Sequence, residues 1–526
     1  MAQKYDAIII GGGHNGLITA AYLAKAGKRV LVLEKRHLVG GASVTEEIFP
    51  GFKFTVFSYV VSLLRPDIVR DLQLPRHGLT ILPLESTLTP LPDGNCLYRD
   101  GDHYRTLREI ARHSPRDAGV YDEYARNMYF MAKAVKYILS ITPPDPTGFN
   151  PKDWLELLAM ARHFLGLGEE QLYLLAKLMT MSAADFLGQW FESDPLKGTM
   201  AASGIIGTYL GPRSPGTAYV LLHHYMGEID GAFRAWGFAK GGTGGIADAI
   251  ARSAQALGAE IRCQAGVAQV RVQNGRATGV VLENGDEISA ETVVSSLDPQ
   301  YTFLKLVDPR QLPSDLVDAI RKFNLRGSSG KVNLALDALP DLTCMPGPGR
   351  HLAGAISISS SIDYLERAFD DAKYGEFSQR PYIDCILPSV IDPDMAPPGK
   401  HVMSCFVQYA PYALNGGWTD ARREAFGDTV VDTLSEYIPN LKKIILHRQV
   451  LTPLDIERTI GIAQGNIFHG ELSLSQLFFL RPAAGWAKYR TPIKGYYQCG
   501  SGTHPGGGIM GAPGQLAALA ILKGGV

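Results

Sequence analysis

The pattern of apolar and polar positions at the start of the chain predicts a strand, a helix and a second strand. Residues 7–10 (AIII) form an unbroken apolar run, which is typical of a strand buried on both faces of a parallel sheet. A helix is predicted from about Asn15 to Lys25. The run RVLVL then predicts a second strand that ends at Glu34.

A glycine-rich turn joins the first strand to the helix. Gly11, Gly13 and Gly16 have the spacing G-x-G-x-x-G directly after the strand. In this motif the first glycine permits a tight turn, the second lets backbone approach a pyrophosphate, and the third lets the helix pack on the strand. A carboxylate at the position of Glu34 accepts hydrogen bonds from the adenosine ribose. This order of elements therefore predicts a dinucleotide-binding site.

Two further glycine clusters indicate that the cofactor is long. Gly40 and Gly41 predict a second close approach of backbone to the ligand. Near the end of the chain, the run GSGTHPGGGIMGAPG separates a short strand at 496–499 from a helix predicted over 512–522. The start of a helix carries a partial positive charge, which suits a reduced flavin that is anionic around N1 and O2. We therefore predict that FAD is the cofactor and that both ends of the chain hold it.

The middle of the chain supplies more of the same sheet. A helix is predicted over 244–257, followed by short strands with hairpin turns at Asn274-Gly275 and Asn284-Gly285. The run at 291–296 is apolar enough to return to the main sheet. The strand near Val267 is placed to contact an adenine through its backbone, although an ordinary hairpin strand fits the same pattern.

No second nucleotide-binding unit is visible in the sequence. The run GGTGG at 241–245 does not follow an apolar strand, so it lacks the context of a dinucleotide motif. We therefore expect electrons to pass to oxygen, a quinone or a partner protein rather than to come from a nicotinamide domain.

The fold class predicted from these elements is α/β. A Rossmann-type FAD-binding domain, similar to those of glutathione reductase and amine oxidases, is combined with a discontinuous α+β substrate domain. The cofactor domain is predicted to comprise residues 1–75, 236–300 and 485–526, and the substrate or lid domain residues 76–235 and 301–484.

Apolar helices in the substrate domain have several interpretations. The segment at 151–194 is strongly helical, with apolar residues that include Trp154, Leu158 and Leu165. Such helices can wall a hydrophobic substrate channel, rest on a lipid surface, or simply form a buried core. His223 and His224 are candidates for a polar spot in the channel wall, and structural histidines are the alternative.

Composition and charge exclude several classes of protein. The formal net charge of -1 argues against nucleic-acid binding, which needs a basic excess. The six cysteines contain no C-x-x-C pair, so neither a zinc site nor a redox dithiol is expected, and no metal is predicted. Four residues precede the first strand and no charge-free run of about 18 apolar residues follows. We expect a cytoplasmic protein, with contact to a membrane surface and homo-oligomerisation left open.

The runs IIIGGGHNGLITAAYLAKAGKRVLVLEKRHLVGGAS and GSGTHPGGGIMG resemble those of the phytoene desaturase-like FAD-dependent oxidoreductases. The resemblance extends along essentially the whole chain. Runs such as QGNIFHGELSLSQLFFLRP and AYVLLHHYMG are similar to the branch that holds the pyridine nucleotide-disulfide oxidoreductase domain-containing proteins and the desaturase-like carotenoid ketolases.

This resemblance implies a role for each residue of the three glycine clusters. The FAD pyrophosphate would be held by Gly11, Gly13 and Gly16, and the adenosine ribose by Glu34. A second glycine contact would come from Gly40 and Gly41, and the adenine would be contacted by Val267. The ribityl-phosphate side of FAD would lie at Gly500 and Ser501. The flavin pyrimidine would lie at Ile509, Met510 and Gly511. Related amine oxidases carry a glutamate where Ser501 stands, and commonly a lysine for flavin reoxidation that the sequence does not assign.

The predicted activity is hydride transfer between flavin N5 and a hydrophobic, unsaturated substrate of the isoprenoid or carotenoid type. Desaturase, saturase, isomerase and ketolase reactions all fit. His504 is the candidate for proton handling beside the flavin edge, and a turn-stabilising hydrogen bond is the alternative. A flavin amine or small-molecule oxidase, and a flavin-bound assembly protein with little turnover, are the competing functions.

Overall fold

The computed structural model of the protein describes residues 5–229, 231–233 and 235–524. The predicted domain segments also include residues 1–4, 230, 234, 525 and 526, which lie outside the described residues. The strands are β1 (Tyr5–Ile10), β2 (Val30–Leu33), β3 (Thr45–Phe49), β4 (Phe52–Thr55), β5 (Ile81–Pro83), β6 (Ser86–Pro90), β7 (Cys96–Asp100), β8 (Glu228–Ile229), β9 (Ala232–Phe233), β10 (Gly237–Ala239), β11 (Glu260–Arg262), β12 (Val267–Gln273), β13 (Arg276–Leu282), β14 (Glu287–Ser295), β15 (Ser329–Leu336), β16 (Ala355–Ile358), β17 (Tyr382–Ile386), β18 (His401–Gln408), β19 (Ile445–Leu451) and β20 (Tyr496–Gln498).

The helices alternate with these strands along the chain. They are α1 (His14–Lys25), α2 (Pro66–Asp71), α3 (His103–His113), α4 (Pro115–Ile138), α5 (Pro151–Leu165), α6 (Glu169–Thr180), α7 (Ala183–Trp190), α8 (Asp194–Ala201), α9 (Thr217–Tyr225), α10 (Gly244–Ala256), α11 (Pro299–Leu304), α12 (Ser314–Arg321), α13 (Ile362–Lys373), α14 (Pro388–Ile391), α15 (Asp420–Ser435), α16 (Leu441–Ile444), α17 (Pro453–Ile460) and α18 (Ala512–Leu522).

The first large sheet has a parallel part in the spatial order β11-β2-β1-β14-β20. Counted along the chain, these parallel strands follow the order 3-2-1-4-5, which is typical of dinucleotide-binding folds. Ile8 of β1 lies opposite Leu31 of β2 and Val293 of β14. The run at 291–296 therefore returns to the main sheet, as its pattern predicts.

The strand order reverses between β1 and β14, and this reversal creates a crevice at their carboxyl ends. In parallel sheets of this kind, ligands bind at such a switch point. Gly11 follows β1 and Ser296 follows β14, and the Ser296 hydroxyl donates a 2.9 Å hydrogen bond to the Gly11 carbonyl. The first glycine cluster thus lies at the position where the topology favours a ligand.

Three helices cover one face of this sheet. Helix α1 is buried along almost its whole length because α10 and α18 pack against it. The side chains between these layers include Leu17, Ile246 and Leu516. The helices predicted over 244–257 and 512–522 correspond to α10 and α18, and the predicted hairpin turns at Asn274-Gly275 and Asn284-Gly285 join β12, β13 and β14.

The second large sheet has the order β19-β15-β18-β17-β16-β6-β7, and its pairs are antiparallel except for β16 with β6. Its strands all come from residues predicted for the substrate domain, although the domain boundaries themselves stay a prediction. One face is apolar and packs on α15, through residues such as Leu334, Met403 and Val430. The other face carries buried polar residues, including Lys331, Asn333, Ser404 and Ser357.

Helices α5 and α6 form an outer layer with apolar side chains on its surface. The exposed fractions are 54% for Trp154, 49% for Leu158 and 71% for Leu165. These side chains therefore do not form the buried core that was one of the interpretations of this segment. Within the described part of the chain, no helix combines the length and apolar character needed to cross a membrane.

Candidate active site

The two ends of the chain meet at the first glycine cluster. The side-chain amide of Asn15 donates a 3.0 Å hydrogen bond to the Ser501 hydroxyl, and the Thr19 hydroxyl donates a 2.9 Å bond to the Gly514 carbonyl. A Cβ atom on Gly514 would lie 2.3 Å from the Asn15 carbonyl oxygen, so only glycine allows this approach. Helix α18 therefore holds the last glycine cluster beside the first.

A cavity of about 970 Å³ begins at this junction. Eight of the twelve predicted cofactor-binding residues line it, namely Gly11, Gly13, Glu34, Gly40, Gly41, Val267, Ser501 and Ile509. Gly16, Gly500, Met510 and Gly511 lie behind this lining and shape it instead. For example, a Cβ atom on Gly16 would lie 2.3 Å from the Gly11 carbonyl oxygen.

Glu34 is fixed at one end of the cavity by two backbone groups. Its carboxylate accepts 2.8 Å hydrogen bonds from the amides of Gly12 and Arg36. The side chain is buried, and the cavity wall continues from it to Val267 at the start of β12. A carboxylate held in this way keeps lone pairs for hydroxyl donors of a ligand.

Arg36 lies in the same wall, and the sequence prediction did not include it. Its guanidinium donates to both carboxylate oxygens of Glu46, at 3.0 and 2.9 Å. Its Nη1 atom is buried and has no hydrogen-bond partner among the described residues. Gly13, which also lines the cavity, has no atom within 4 Å of the position where a Cβ would stand. A guanidinium N–H without a partner and open space at a glycine of the same cavity fit a bound phosphate group.

Two partly buried histidines face the cavity beyond these residues. Burial lowers the pKa of His14 to about 4 and the pKa of His469 to about 3, so both imidazoles are neutral near pH 7. The Nε2 atom of His14 and the Nδ1 atom of His469 are buried without a partner in the part of the chain that the structure describes. Because buried polar atoms are normally paired, these two fit a ligand that supplies polar groups.

Arg481 ties together the loops on this side of the cavity. Its fully buried guanidinium donates to the carbonyls of Ser501, Phe468 and Gly470 at 2.8, 3.0 and 3.1 Å. Burial lowers its pKa to about 9. The sequence did not predict Arg481 because its partners are backbone carbonyls, which every residue type carries.

The remaining wall of the cavity is mostly aromatic and aliphatic. Tyr59 stacks on Phe406 with ring centres 5.5 Å apart, and Trp236 lies parallel to His224 at 6.2 Å. The Nδ1 atom of His224 lies 2.9 Å from the Val220 carbonyl, and burial lowers the pKa of His224 to about 4. Of the predicted histidines, His224 is thus part of the wall.

His223 and His504 do not line the cavity. Both are fully buried, and burial lowers the pKa of each to about 3. The Nε2 atom of His504 lies 3.1 Å from the carbonyl of Ile138 at the end of α4, so the ring links two segments of the fold. This geometry favours the structural alternative for His504 over proton handling, and His223 does not supply the polar spot in the wall that the sequence indicated for it.

Two charged residues, Lys331 and Asp384, lie behind the aromatic wall, and the sequence did not predict them. The Lys331 ammonium donates a 2.8 Å hydrogen bond to the Ser58 carbonyl, and the Tyr59 hydroxyl donates a 2.7 Å bond to Asp384. Burial lowers the pKa of Lys331 to about 7 and raises that of Asp384 to about 6. The only signal in the sequence is the polar residues at alternate positions of the apolar run at 331–336.

The channel-wall interpretation of the segment at 151–194 finds no support, because none of its residues lines the cavity. No residue of α5 or α6 is among those that line it, because these helices lie on the outside of α4 and α9. Across residues 5–229, 231–233 and 235–524, no group of three or more His, Cys, Asp or Glu side chains is arranged to hold a metal ion.

The parallel sheet, the glycine turn at its switch point and the acid after its second strand define a dinucleotide-binding protein. The family model described as "Flavin containing amine oxidoreductase" matches residues 16–515. The chain belongs to this family, and it is an oxidoreductase whose cofactor is FAD. The predicted α/β fold with a Rossmann-type FAD-binding domain is confirmed.

Curated relatives match along nearly the whole chain. Pyridine nucleotide-disulfide oxidoreductase domain-containing protein 2 of Mus musculus is 41% identical over 99% of this chain and 94% of its own length. A limonene dehydrogenase component of Castellaniella defragrans is 27% identical, with 99% and 95% coverage. Prolycopene isomerase of Daucus carota is 26% identical, with 97% and 78% coverage. These relatives confirm the predicted family resemblance.

Solved structures share the fold. An oxidoreductase from Methanosarcina mazei aligns with a TM-score of 0.61 and 18% identity, over 99% of this chain and 100% of the other. Cyclohexylamine oxidase from Brevibacterium oxydans aligns with a TM-score of 0.57 and 17% identity, over 99% of both chains. At this level of identity, the likeness is one of fold.

Proposed function

We propose that the protein transfers a hydride between flavin N5 and a hydrophobic, unsaturated substrate of the isoprenoid or carotenoid type. Bound FAD supplies the group that accepts or returns the electron pair. The protein would orient a substrate C–H bond about 3 to 3.5 Å from that group and exclude water around it.

The observation that carries this proposal is the composition of the cavity wall beyond Ser501 and Ile509. The wall there consists largely of apolar and aromatic residues, namely Tyr59, Val60, Leu63, Ile206, Trp236, Phe406, Ile467 and Phe468. Removing apolar surface from water contributes about 25 cal/mol per Å². Such a wall favours a hydrocarbon over a small charged substrate.

The names of two relatives support the same substrate class. One relative is named for limonene and another for prolycopene, and both compounds are unsaturated isoprenoid hydrocarbons. The relatives differ in the reaction that their names give, dehydrogenation in one case and isomerisation in the other. The proposal therefore specifies hydride transfer to or from an isoprenoid without choosing a direction.

Residues of the cavity would hold FAD along its length. Glu34 would accept from the adenosine ribose, and Arg36 with the backbone at Gly13 would bind the pyrophosphate. Ser501 would lie on the ribityl-phosphate side, and Ile509 beneath the flavin pyrimidine. Oxygen, a quinone or a partner protein is proposed as the electron acceptor, and membrane-surface contact and homo-oligomerisation stay predictions from the sequence.

A flavin amine oxidase is the second candidate function. The family description and the fold shared with cyclohexylamine oxidase favour it. Four carboxylates line the cavity, and three of them argue against it because they already have partners. Glu34 accepts from two amides, Glu283 pairs with Lys35, and Glu457 accepts from the Tyr412 hydroxyl. The fourth, Asp298, accepts from the Tyr301 amide and keeps one oxygen without a partner among the described residues.

A panel of reductants separates these functions. The purified protein is made anaerobic and mixed with detergent-dispersed limonene or prolycopene, with cyclohexylamine, or with NADH, and bleaching of the flavin band is followed. We expect an isoprenoid either to bleach the oxidised flavin or, in a parallel sample, to restore the colour of flavin reduced with dithionite, and neither the amine nor NADH to bleach it rapidly. Rapid bleaching by cyclohexylamine alone would establish the oxidase instead, and release of no FAD on denaturation would remove both functions.

A matched pair of tryptophan variants tests whether the aromatic wall binds the substrate. Trp236→Ala removes a lining side chain, whereas Trp154→Ala removes an exposed one that lies away from the cavity. We expect Trp236→Ala to raise the isoprenoid concentration for half-maximal bleaching about 10-fold or more, since burying a large apolar side chain is worth roughly 1.5–3 kcal/mol. Trp154→Ala should stay within about twofold of the wild type, and equal effects would contradict the proposed binding site.

A further inference from the structure

Three neighbouring strands place two charged residues on one face of the second sheet. Lys331 of β15 lies directly opposite Phe406 of β18, and Phe406 lies opposite Asp384 of β17. Residues opposite each other in a sheet project to the same side. The charged groups therefore flank Phe406, and this face of the sheet looks toward the cavity that Phe406 lines.

Tyr59 joins this row of residues to the cavity. Its ring stacks on Phe406, its hydroxyl donates to Asp384 at 2.7 Å, and the Lys331 ammonium lies 5.1 Å from its ring centre. Lys331 also donates to the carbonyl of Ser58, the residue before Tyr59. Because Tyr59 itself lines the cavity, it connects the space for a substrate with an enclosed carboxylate.

The arrangement is expensive for the fold, which suggests a chemical use. Moving a carboxylate and an ammonium out of water costs several kcal/mol for each ion, and apolar residues would pack here at lower cost. Burial holds the pKa of Asp384 at about 6 and that of Lys331 at about 7. Groups that titrate near neutral pH are the most efficient at taking and returning protons.

We propose that Tyr59 and Asp384 form a proton relay for the hydride transfer proposed above, on which this inference rests. In the oxidative direction, one substrate C–H bond breaks and its electron pair leaves with the hydride to the flavin. The C–H bond on the neighbouring carbon gives its electron pair to the new C=C bond. Its proton passes to the Tyr59 oxygen as the proton of Tyr59 passes to the Asp384 carboxylate.

Each residue has a distinct part in this relay. Tyr59 is the catalytic residue, since it borders the substrate space, and its pKa is raised well above its usual value, so it passes a proton on rather than giving one up alone. Asp384 is the final acceptor. Lys331 is a positioning residue that holds the backbone at Ser58 and favours the ionised form of Asp384.

The other titratable groups around Asp384 are few. Tyr382 and Cys385 come from its own strand, and Cys405 comes from β18. Burial raises the pKa of both Tyr382 and Cys385 well above their usual values, so neither titrates near pH 6. Histidines 14, 224 and 469 line the same cavity, with pKa values of about 3 to 4. Asp384 and Lys331, with pKa values of about 6 and 7, thus titrate near neutral pH, and the Asp384→Asn variant separates the transition near pH 6 from that of Lys331.

The relay is tested by measuring the reduction potential of the FAD-loaded protein against pH. Reduction places negative charge in the site, so Asp384 should take up a proton and the plot should change slope near pH 6. We expect Asp384→Asn to remove this break. Tyr59→Phe should move it upward by about one pH unit, because a donor that stabilises the carboxylate is lost. Ser357→Ala, at the next position in the same row, should leave the break in place.

Anaerobic bleaching by prolycopene or limonene gives the second readout. Asp384→Asn and Tyr59→Phe should slow bleaching about 100-fold or more, the usual effect of losing a proton-transfer group, while dithionite reduces all the variants equally. If the wild type holds FAD but the slope break survives in Asp384→Asn, the relay is overturned and the proposed function stands. If the wild type holds no FAD, both fall together.

Discussion

At the residue scale, Glu34 decides how well the adenosine half of FAD is held. Its carboxylate is fixed by the amides of Gly12 and Arg36, and it is buried in the cavity wall. Glu34→Gln removes the charge and turns one acceptor into a donor that faces those amides. A hydrogen bond to a charged group is worth about 1.5–3 kcal/mol, so we expect FAD to bind roughly 10- to 100-fold more weakly. Titration of the FAD-free protein with FAD, followed by flavin fluorescence, measures the change.

Glu283→Gln is the matched control for this prediction. Glu283 also lines the cavity, but its carboxylate pairs with Lys35 at 2.9 Å and both side chains are largely exposed. Exposed ion pairs contribute about 0–1 kcal/mol, so FAD affinity should change less than about threefold. Equal losses in the two variants would show that Glu34 has no specific contact with the cofactor.

The same scale shows which site residues a sequence can reveal. Gly11 and Gly40 have φ values of +92° and +124°, so the backbone itself demands glycine and the requirement is visible in residue type. Asp384 is 325 positions from Tyr59, and nothing local marks their contact. The proton-handling prediction for His504 finds no support either, because here closeness in sequence does not mean contact in the fold. His504 adjoins the flavin-side glycines in sequence, but its ring contacts Ile138, which is 366 positions away.

At the scale of elements, the packing of α18 on α1 joins the two ends of the cofactor site. Gly514→Ala would place a Cβ atom 2.3 Å from the Asn15 carbonyl oxygen and push the helices apart. Overpacking of this kind costs about 1–3 kcal/mol, and the displaced Ser501 loop should also bind FAD less tightly. Urea unfolding midpoints and retained FAD after gel filtration measure both effects.

Gly188→Ala is the control for helix propensity. Gly188 lies in α7, is exposed, and has no atom within 4 Å of the position of a new Cβ. Alanine in place of an unconstrained helical glycine stabilises by about 0.5–1 kcal/mol, so this variant should be neutral or more stable. Destabilisation of both variants to the same degree would mean that close packing at Gly514 is not the cause.

Elements with a local signal were predictable, and their environments were not. The helix predicted over 512–522 is observed as Ala512–Leu522. The apolar residues of α5 also predicted a helix correctly, but Trp154 and Leu165 turned out to be exposed. The spacing of apolar residues predicts that a helix has an apolar stripe. It does not predict whether another element covers that stripe, because the covering residues are far away in the sequence.

At the scale of the whole molecule, burial of histidines should make stability depend on pH. Five imidazoles have pKa values lowered by burial to about 3 or 4, namely the buried His223, His224 and His504 and the partly buried His14 and His469. In the unfolded chain each titrates at about 6.5. As pH falls below 6.5, these histidines bind protons in the unfolded state but not in the folded state, so the free energy of unfolding falls.

Two buried carboxylates act in the opposite direction, and magnitudes decide the balance. Burial raises the pKa of Asp298 and Asp384 to about 6, so their folded forms gain protons first as pH falls. Between pH 7 and 5 this stabilises by about 1 kcal/mol for each group, against a loss of about 2 kcal/mol for each histidine. The histidines prevail because there are more of them and their shifts are larger.

We therefore expect the free energy of unfolding to drop by several kcal/mol between pH 7.5 and pH 5, as measured by urea unfolding of the FAD-free protein.

His504→Gln should make this drop smaller by about 2 kcal/mol, since it removes one group that binds a proton only in the unfolded state. His103→Gln is the surface control and should change the drop less than His504→Gln does, because the side chain of His103 is 51% exposed. The slope against pH, rather than stability at one pH, is the diagnostic, since any buried substitution lowers stability. A flat pH dependence in the wild type would mean that the histidines accept protons in the folded state, with water reaching them from the cavity that His14, His224 and His469 line.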